Sequence, residues 1–527
     1  MENASFNNTY DVVVIGAGMG GLTAAAVAAK AGLSVFSAEM NGAPGGCVSG
    51  FSRNGFQFET AVHWLNLFGP DGPARKLLSY LLPSVPETPR PQTIRRFKGE
   101  TFDYTLTENP DALRDTLIRD FPRDEKGLVR FFDAARQMGV AFKRLTQMMQ
   151  GPQTLALNER FRLFCATTAA GLPFMRYGGW SAERGLRHFF PSGGPGRMFC
   201  SEAALLSCLV PIGWIYTNNY HLAPKGGAAT LARELSKTVG AYGGDIRLNT
   251  RAVRIVMERG RAVGVVFEDR DKKEFEVSCK YVIAACDTEY LYTQLLPESV
   301  VPRRLVRNIR RADLYDSAVT ISLGLNRPAR DFGVGEEMIY LTKDDLPRAE
   351  QDGGDPRDAR ITLLSSASAD PSLAPPGKGT LTIYLPAKLS LYDGWHTAEG
   401  FSKTAAYREL KQQYADTVIK RIEHALMPGL RDSIEVCDVA SPVTYLRYTG
   451  NRDGTIMGTR MSFKNLLRGV SGYQSPVRNV LIGGQWAEYS GGIPTAIRAG
   501  ANAAMMILKR ESPDAFEASR EMFVWKV

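Results

Sequence analysis

The chain has 527 residues, 44% of them hydrophobic and 23% charged, with 64 Lys and Arg against 55 Asp and Glu for a net charge of +9. This is a globular composition with apolar material for a sizeable core in two or three lobes, and it excludes a disordered or fibrous chain. The positive charge is scattered, as at Arg303, Arg304, Arg307, Arg310 and Arg311, so solvated faces explain it better than nucleic-acid binding, and it also suits weak attraction to anionic membranes.

Val12 to Ile15 is a continuous apolar run, which predicts a strand buried on both faces. Gly16, Gly18 and Gly21 follow with G-x-G-x-x-G spacing. In that spacing the first glycine makes the tight turn, the second admits a pyrophosphate to the backbone, and the third lets the helix pack closely on the strand. Thr23 to Ala31 predicts a helix of small residues, ended by Gly32, with its N-terminus open to phosphate. Ser34 to Ala38 predicts a second strand, and Glu39 ends it where a carboxylate would accept hydrogen bonds from an adenosine ribose. Three glycines in a small-residue turn can also serve packing alone. The strand before, the helix after and the acid at the end of the second strand together favour a dinucleotide, FAD or NAD rather than NADP.

Next come a glycine-rich loop, Gly42 to Cys47, and two short strand-like pieces around Asn54-Gly55, a hairpin turn signal. Residues 71–224 change character. Pro and Arg are frequent from Pro83 to Arg96, and Phe131, Phe132, Ala135, Met138, Phe142 and Leu145 recur at helical spacing within Leu128–Met149. A Phe-, Met- and Gly-rich stretch then runs from Phe161 to Tyr216. A mainly helical insertion is expected, its Met and aromatic residues forming core and also suiting an apolar cavity lining. The run Ala203–Tyr216 is too short to span a membrane and is broken by Pro211. It reads as buried core, or else as a greasy wall or mouth that meets lipid.

From Pro224 the alternating pattern returns, with a helix at Leu231–Val239 and strands at 245–249, 252–257, 262–267 and 281–285. Ser317–Leu325 and Thr380–Leu385 predict strands, and Thr404–Leu426 a long helix. Near the C-terminus, Asn479–Ile482 runs into Gly483-Gly484, and Ser490–Pro494 leads into a small-residue helix, Thr495–Leu508. This is a second strand–glycine–helix device. The seven cysteines (47, 165, 200, 208, 279, 286, 437) form no C-x-x-C pair and no cluster with the five histidines. They read as reduced thiols in a cytosolic protein without a metal site. Met1 to Thr9 is polar and has no signal-peptide core.

With both glycine devices in view, the chain resembles the FAD-dependent amine-oxidase-like superfamily, in the branch of phytoene desaturases, carotenoid isomerases and retinol saturases. The resemblance runs nearly end to end. It rests on Gly16 to Glu39, Pro44 to Cys47, Gly55 to His63, Pro224 to Gly227, the Val253 strand, Pro371 to Pro375, Thr444 to Thr449 and Gly484 to Ala504. It implies an α/β fold with a Rossmann-like FAD-binding domain of discontinuous segments (1–75, 222–300, 440–527) and a largely helical inserted substrate lobe (76–221, 301–439). It also implies that Gly16, Gly18, Gly21 and Glu39 hold the ADP of FAD, with Gly20 and Met40 beside them, and that Gly46 and Cys47 hold the pyrophosphate region. Val253 would meet the adenine through its main chain. Thr60, Ala61, Val62 and His63 would lie near the isoalloxazine, Gly484 and Gln485 would contact the ribitol and phosphates, and Ile493 would direct its N–H to the flavin.

Glu59 departs from the pattern, where Asp is usual, and so does Gln485, where isomerases often have Asp. Ala61 to Trp64 and Gly484-Gln485 resemble the saturase version, whereas Ser490 to Pro494 resembles the desaturase ending. His63 near a flavin could move a proton, but a hydrogen-bonded structural role is the stronger reading, and Arg447 is not read as catalytic. The expected activity is hydride transfer at a carbon–carbon bond of a long apolar polyene, with desaturation narrowly ahead of saturation and isomerisation. Its electron partner would be a quinone, oxygen or a reduced carrier, and the enzyme would be cytoplasmic with peripheral membrane contact. An amine oxidase or a non-catalytic flavin- and lipid-binding protein on the same fold are the alternatives.

Overall fold

The computed structural model describes residues 9–199, 202–344, 346 and 348–523. The chain is α/β and is built around two seven-stranded sheets. In the first sheet, Asp245–Arg247, Val35–Ala38, Thr9–Ile15 and Glu274–Ala284 lie side by side and parallel. Glu274–Ala284 then divides its far edge. Its first half pairs antiparallel with Arg261–Glu268, and its end pairs parallel with Val480–Ile482, which brings the C-terminal segment into the same sheet. Val12, Val13 and Val14 are fully buried, as a central strand covered on both faces requires.

Helix Met19–Lys30 crosses the C-terminal helix Ile493–Glu511 at backbone contact: a Cβ on Gly500 would stand 2.0 Å from the Gly20 carbonyl oxygen. Ala24, Ala503 and Ala504, all fully buried, continue the small-residue packing of the two helices into the core. The Ala- and Gly-rich sequence of both helices is what lets two phosphate-type turns sit back to back on one sheet.

The second sheet runs Ile434–Ala440, Ser317–Leu325, Gly379–Ala387, Ile361–Leu364, Met338–Leu341, Thr93–Lys98 and Asp103–Thr107. It is antiparallel except between Met338–Leu341 and Thr93–Lys98. Its strands alternate. Val319, Ile321, Leu323, Ile339, Ile361, Leu363 and Ile383 face one way and pack on helix Ala405–Ala425 through Tyr414, Val418, Ile419 and Ile422. The other face carries the row Thr320, Tyr384, Thr362 and Tyr340, aligned across neighbouring strands. Helices Pro110–Asp120, Glu125–Gln147, Leu157–Tyr177, Ala182–Phe189 and Leu205–Tyr216 form the inserted lobe, around an aromatic core that includes Phe131, Phe132, Phe189 and Phe199.

The stretch 76–221 is largely helical and also contributes Thr93–Lys98 and Asp103–Thr107, two strands of the second sheet. The charged pair Arg95-Arg96 hid the alternation there. A boundary at residue 75 also falls inside helix Pro73–Leu81, whose Leu77, Leu78 and Leu81 pack into the core of the first sheet. Asn54 and Gly55, with φ of 49° and 83°, do form the expected hairpin turn. Among the described residues no helix is long and apolar enough to cross a membrane. Cys47, Cys165, Cys279, Cys286 and Cys437 are free thiols, and Cys200 lies outside the described residues.

Candidate functional site

One cavity of about 1690 Å³ runs from the first glycine turn to the second sheet. That exceeds the ~300–1,000 Å³ usual for a single small ligand, leaving room for a dinucleotide and a second molecule. At one end Gly16, with φ of 99°, turns the chain out of strand Thr9–Ile15. Helix Met19–Lys30 begins at Gly18 with no side chain capping it, so its first N–H groups stay available to an anion. Nothing stands within 4 Å of where a Gly18 Cβ would be, whereas a Cβ on Gly21 would stand 1.9 Å from the Gly16 oxygen. Gly18 is thus open to a ligand and Gly21 serves helix packing. The Gly42–Cys47 loop lies against this turn through a bridge between Gly18 and Gly45.

Glu39 is buried and its carboxylate is fixed. Oε2 accepts from Ala17 N–H at 3.0 Å, and Oε1 accepts from the backbone and side-chain amides of Asn41 at 2.9 and 2.8 Å. Glu39 lines the cavity with Met40, Gly46 and Cys47. The Cys47 thiol is pushed up to about 11 by burial, so it stays protonated. Val253 does not line the cavity, but Thr250, Arg251 and Ala252 do. It falls at the register shift between Ala252 and Arg254, where the strand bulges and Val253 has no cross-strand partner.

The second device closes the cradle. Strand Val480–Ile482 leads to Gly484 and Gln485, and Gly492 starts helix Ile493–Glu511, again without a side-chain cap. Gly484, Gln485, Ile493 and Gly20 all line the cavity. This end therefore offers two uncapped helix starts and a fixed carboxylate, a donor and acceptor set that fits FAD from adenosine to flavin.

Ala61, Val62 and His63 line the middle of the cavity. Thr60 does not: its hydroxyl donates to the carbonyls of Cys47 and Ser49 at 3.0 and 2.8 Å, and its own carbonyl accepts from Tyr445. Thr60 ties two loops together and leaves the lining to its successors. His63 is held by stacking on Tyr384, with ring centroids 5.0 Å apart, and its buried Nδ1 has no partner among the described residues. Burial pushes its pKa down to about 4, so the ring is neutral at physiological pH. Glu59 accepts from Ala228 N–H at 2.6 Å and from Ser366 at 3.3 Å, joining the hairpin to the Pro224–Gly227 turn. Arg447 is exposed and outside the cavity lining.

Beyond His63 the lining changes. Phe142, Leu145, Phe174, Leu206, Val210 and Trp214 give apolar walls from the inserted lobe. Helix Leu205–Tyr216 buries Leu205, Leu209 and Ile212 in the lobe core while Leu206, Val210 and Trp214 line the cavity. Met175, Met461, Phe463 and Leu466 line the cavity yet are exposed, which places them at an opening. Across from the glycine cradle stand Thr320, Tyr340, Thr362 and Tyr384 of the second sheet, with Arg95 and Arg360. Reading the sequence missed this group. Its available signal was the period-two alternation in Thr380-Leu-Thr-Ile-Tyr384, whose polar positions face inward.

The model of the flavin containing amine oxidoreductase family matches residues 19–508. The chain is 23% identical over 505 residues to an all-trans-retinol 13,14-reductase of Danio rerio, covering 90% of this chain and 82% of that protein. It is 25% identical over 469 residues to a chloroplastic prolycopene isomerase of an Oncidium hybrid cultivar, covering 85% and 75%. Wild-type putrescine oxidase bound to putrescine has the same fold, with a TM-score of 0.60 at 14% identity over 95% of this chain and 99% of that one.

Proposed function

The chain belongs to the flavin containing amine oxidoreductase family, an FAD-dependent oxidoreductase, and from that premise we propose that it reduces a carbon–carbon double bond of a long apolar polyene. The observation that carries this reading is the cavity. It continues from the glycine cradle past His63 into walls of Phe, Leu, Val and Trp that suit a hydrocarbon. Proteins similar to this chain bear the names of a retinol reductase and a prolycopene isomerase, which supports a polyene over an amine and saturation over the desaturation expected from sequence alone. The isomerase relatives favour redox-neutral isomerisation of the same substrate class as the second reading.

When bound and reduced by an electron donor, FAD would supply a hydride to one carbon of the double bond, the other carbon taking a proton. The residues of the chain place and isolate it. Glu39 would hold the adenosine ribose, and Gly16, Gly18, Gly46 and Gly484 would let phosphates and ribitol approach the backbone. The start of helix Ile493–Glu511 would favour negative charge at the facing edge of the ring system. Ala61, Val62 and His63, with Tyr384 behind, would form the wall against which one polyene bond lies. His63 is neutral and so would act by hydrogen bonding or contact, not as an imidazolium acid. Phe142, Leu206 and Trp214 exclude water from the reacting bond.

The opening supports peripheral contact with a membrane. Phe463 and Met175 are each 75% exposed, Leu467 is 72% exposed, and Lys464 and Arg468 lie on the same short helix, Phe463–Arg468. Apolar side chains beside cations at a cavity mouth suit entry into an anionic lipid surface.

The test is product mass. Chemically reduced holoprotein, incubated anaerobically with all-trans-retinol and with a cis-carotene, should yield a product two hydrogens heavier than one of them. A product of unchanged mass and altered geometry transfers the assignment to isomerisation. A product two hydrogens lighter, formed by oxidised protein only, restores desaturation.

A further inference from the structure

Arg95 is 7% exposed, lies on strand Thr93–Lys98, and lines the cavity. Its Nε is buried without a hydrogen-bond partner, and its guanidinium stands 5.2 Å from the centre of the Tyr340 ring. Among the described residues no carboxylate forms an ion pair with it. The second cation of this floor, Arg360, is matched by Asp352 at 2.8 Å. Glu202, also in the lining, acts on both arginines through space without closing on either. A buried cation without a close counter-charge is costly to keep in an otherwise apolar cavity. Around it stand the phenols of Tyr340, Tyr384 and Tyr220, which burial keeps protonated; Tyr340 and Tyr384 donate only to the weak acceptor Met338 Sδ, at 3.2 and 3.3 Å, and the Tyr220 oxygen accepts from the Arg95 guanidinium. Arg95 is buried in the cavity wall, whereas the apolar lining residues Met175, Met461, Phe463 and Leu466 are exposed at its opening.

We propose that this floor is a carboxylate subsite, and that the substrate is a polyene ending in a carboxylic acid, its head on Arg95 and its apolar tail toward the opening. The planar fork of a guanidinium matches a carboxylate in two hydrogen bonds. With Arg360 matched by Asp352 and Glu202 closing on neither arginine, one guanidinium without an ion pair suits a monoanion, whereas a diphosphate would call for several. The inference rests on the polyene reading of the same cavity and specifies the head group, placing the reacting double bond at a fixed distance from the acid. Arg95 is then a residue that selects the substrate, not one that acts on the flavin.

The experiment uses the full chain loaded with FAD and three probes of one carbon skeleton: all-trans-retinol, its carboxylic acid and its phosphate ester. Binding is read from the shift of the visible flavin band. The acid should bind at least roughly tenfold more tightly than the alcohol, as a charge-assisted hydrogen bond warrants. Arg95→Met should reduce that preference to less than about twofold, with Arg95→Lys in between. Flavin content reports that each variant is folded, and the comparison of probes on the unaltered protein stands even if a variant does not fold. Equal binding of acid and alcohol, or tighter binding of the phosphate ester, overturns the carboxylate subsite and leaves the polyene reading intact. Binding of none of the three overturns both.

Discussion

At the scale of single residues, two buried carboxylates do different work. Glu39 accepts three hydrogen bonds from Ala17 and Asn41 and faces the cavity with acceptor capacity to spare. Its position at the end of a strand was legible because an acid there is what recognition of a ribose would call for. Glu39→Ala should weaken FAD binding roughly ten- to a hundredfold, the worth of about 1.5–3 kcal/mol for hydrogen bonds to a charged group. Fluorescence quenching on titrating FAD into the apoprotein measures this, and an unchanged affinity contradicts the assignment.

Glu59, by contrast, is pushed up to about 7 by burial, against an ordinary value near 4.3. The folded chain holds that proton more tightly than the unfolded chain. The contribution to stability is therefore full below about pH 4 and is lost as pH rises through about 7. Glu59→Gln keeps an acceptor for Ala228 N–H and removes the titration. The variant should gain on the unaltered protein between pH 5 and 8, by about 3 kcal/mol at most. Parallel stability curves in denaturant titrations across that range would show that Glu59 is not a buried, proton-retaining group.

At the scale of elements, the crossing of helices Met19–Lys30 and Ile493–Glu511 holds the two glycine devices in one frame. Gly500→Ala would put a methyl 2.0 Å from the Gly20 carbonyl oxygen and force the helices apart. A loss of about 1–3 kcal/mol or more in thermal unfolding, together with a loss of bound flavin, is expected. Gly240→Ala, in helix Ala229–Ala241 with nothing within 4 Å of the new Cβ, should instead be neutral or slightly stabilising. Similar losses for both variants would mean that the crossing is not under this constraint.

The elements also show what a sequence can reveal. Both glycine devices were legible because each needs a local order of strand, glycines and helix. Strands Ser317–Leu325 and Gly379–Ala387 were legible from their β-branched composition, and helix Ala405–Ala425 from its length. Strand Thr93–Lys98 was not, because Arg95 and Arg96 look like a solvated surface when read locally. Only the pairing with Met338–Leu341 turns Arg95 inward. The same non-local pairing sets Tyr340, Thr362 and Tyr384 in one row, so the cavity floor was invisible as a group even though each strand was simple. Thr60 and Val253 were expected at the cofactor from the resemblance. Their neighbours, and not they, line the cavity: a side-chain tie holds Thr60, and Val253 sits at a bulge.

At the scale of the molecule, two sheets facing each other across one cavity divide the work. The first presents the cofactor cradle, and the second, with the helical lobe, presents the chamber. The apolar rim around the opening is the expected route for a substrate that water does not dissolve. Replacing Phe463 and Leu467 by Ser should cut the partition onto anionic vesicles, read by co-sedimentation, by about a hundredfold or more, since each buried apolar side chain is worth about 1.5–3 kcal/mol. Retained vesicle binding would place the contact elsewhere on the surface.

The central claim is that the FAD of this chain exchanges hydride with a polyene, in a fold that other proteins use for amines. The most direct measurement is anaerobic absorbance of the flavin. Chemically reduced holoprotein given detergent-solubilised polyene should regain the oxidised flavin band as polyene conjugation falls, while oxidised holoprotein given putrescine or a primary aromatic amine should not bleach. Bleaching by an amine, with no flavin change on adding polyene to either redox state, would contradict the account.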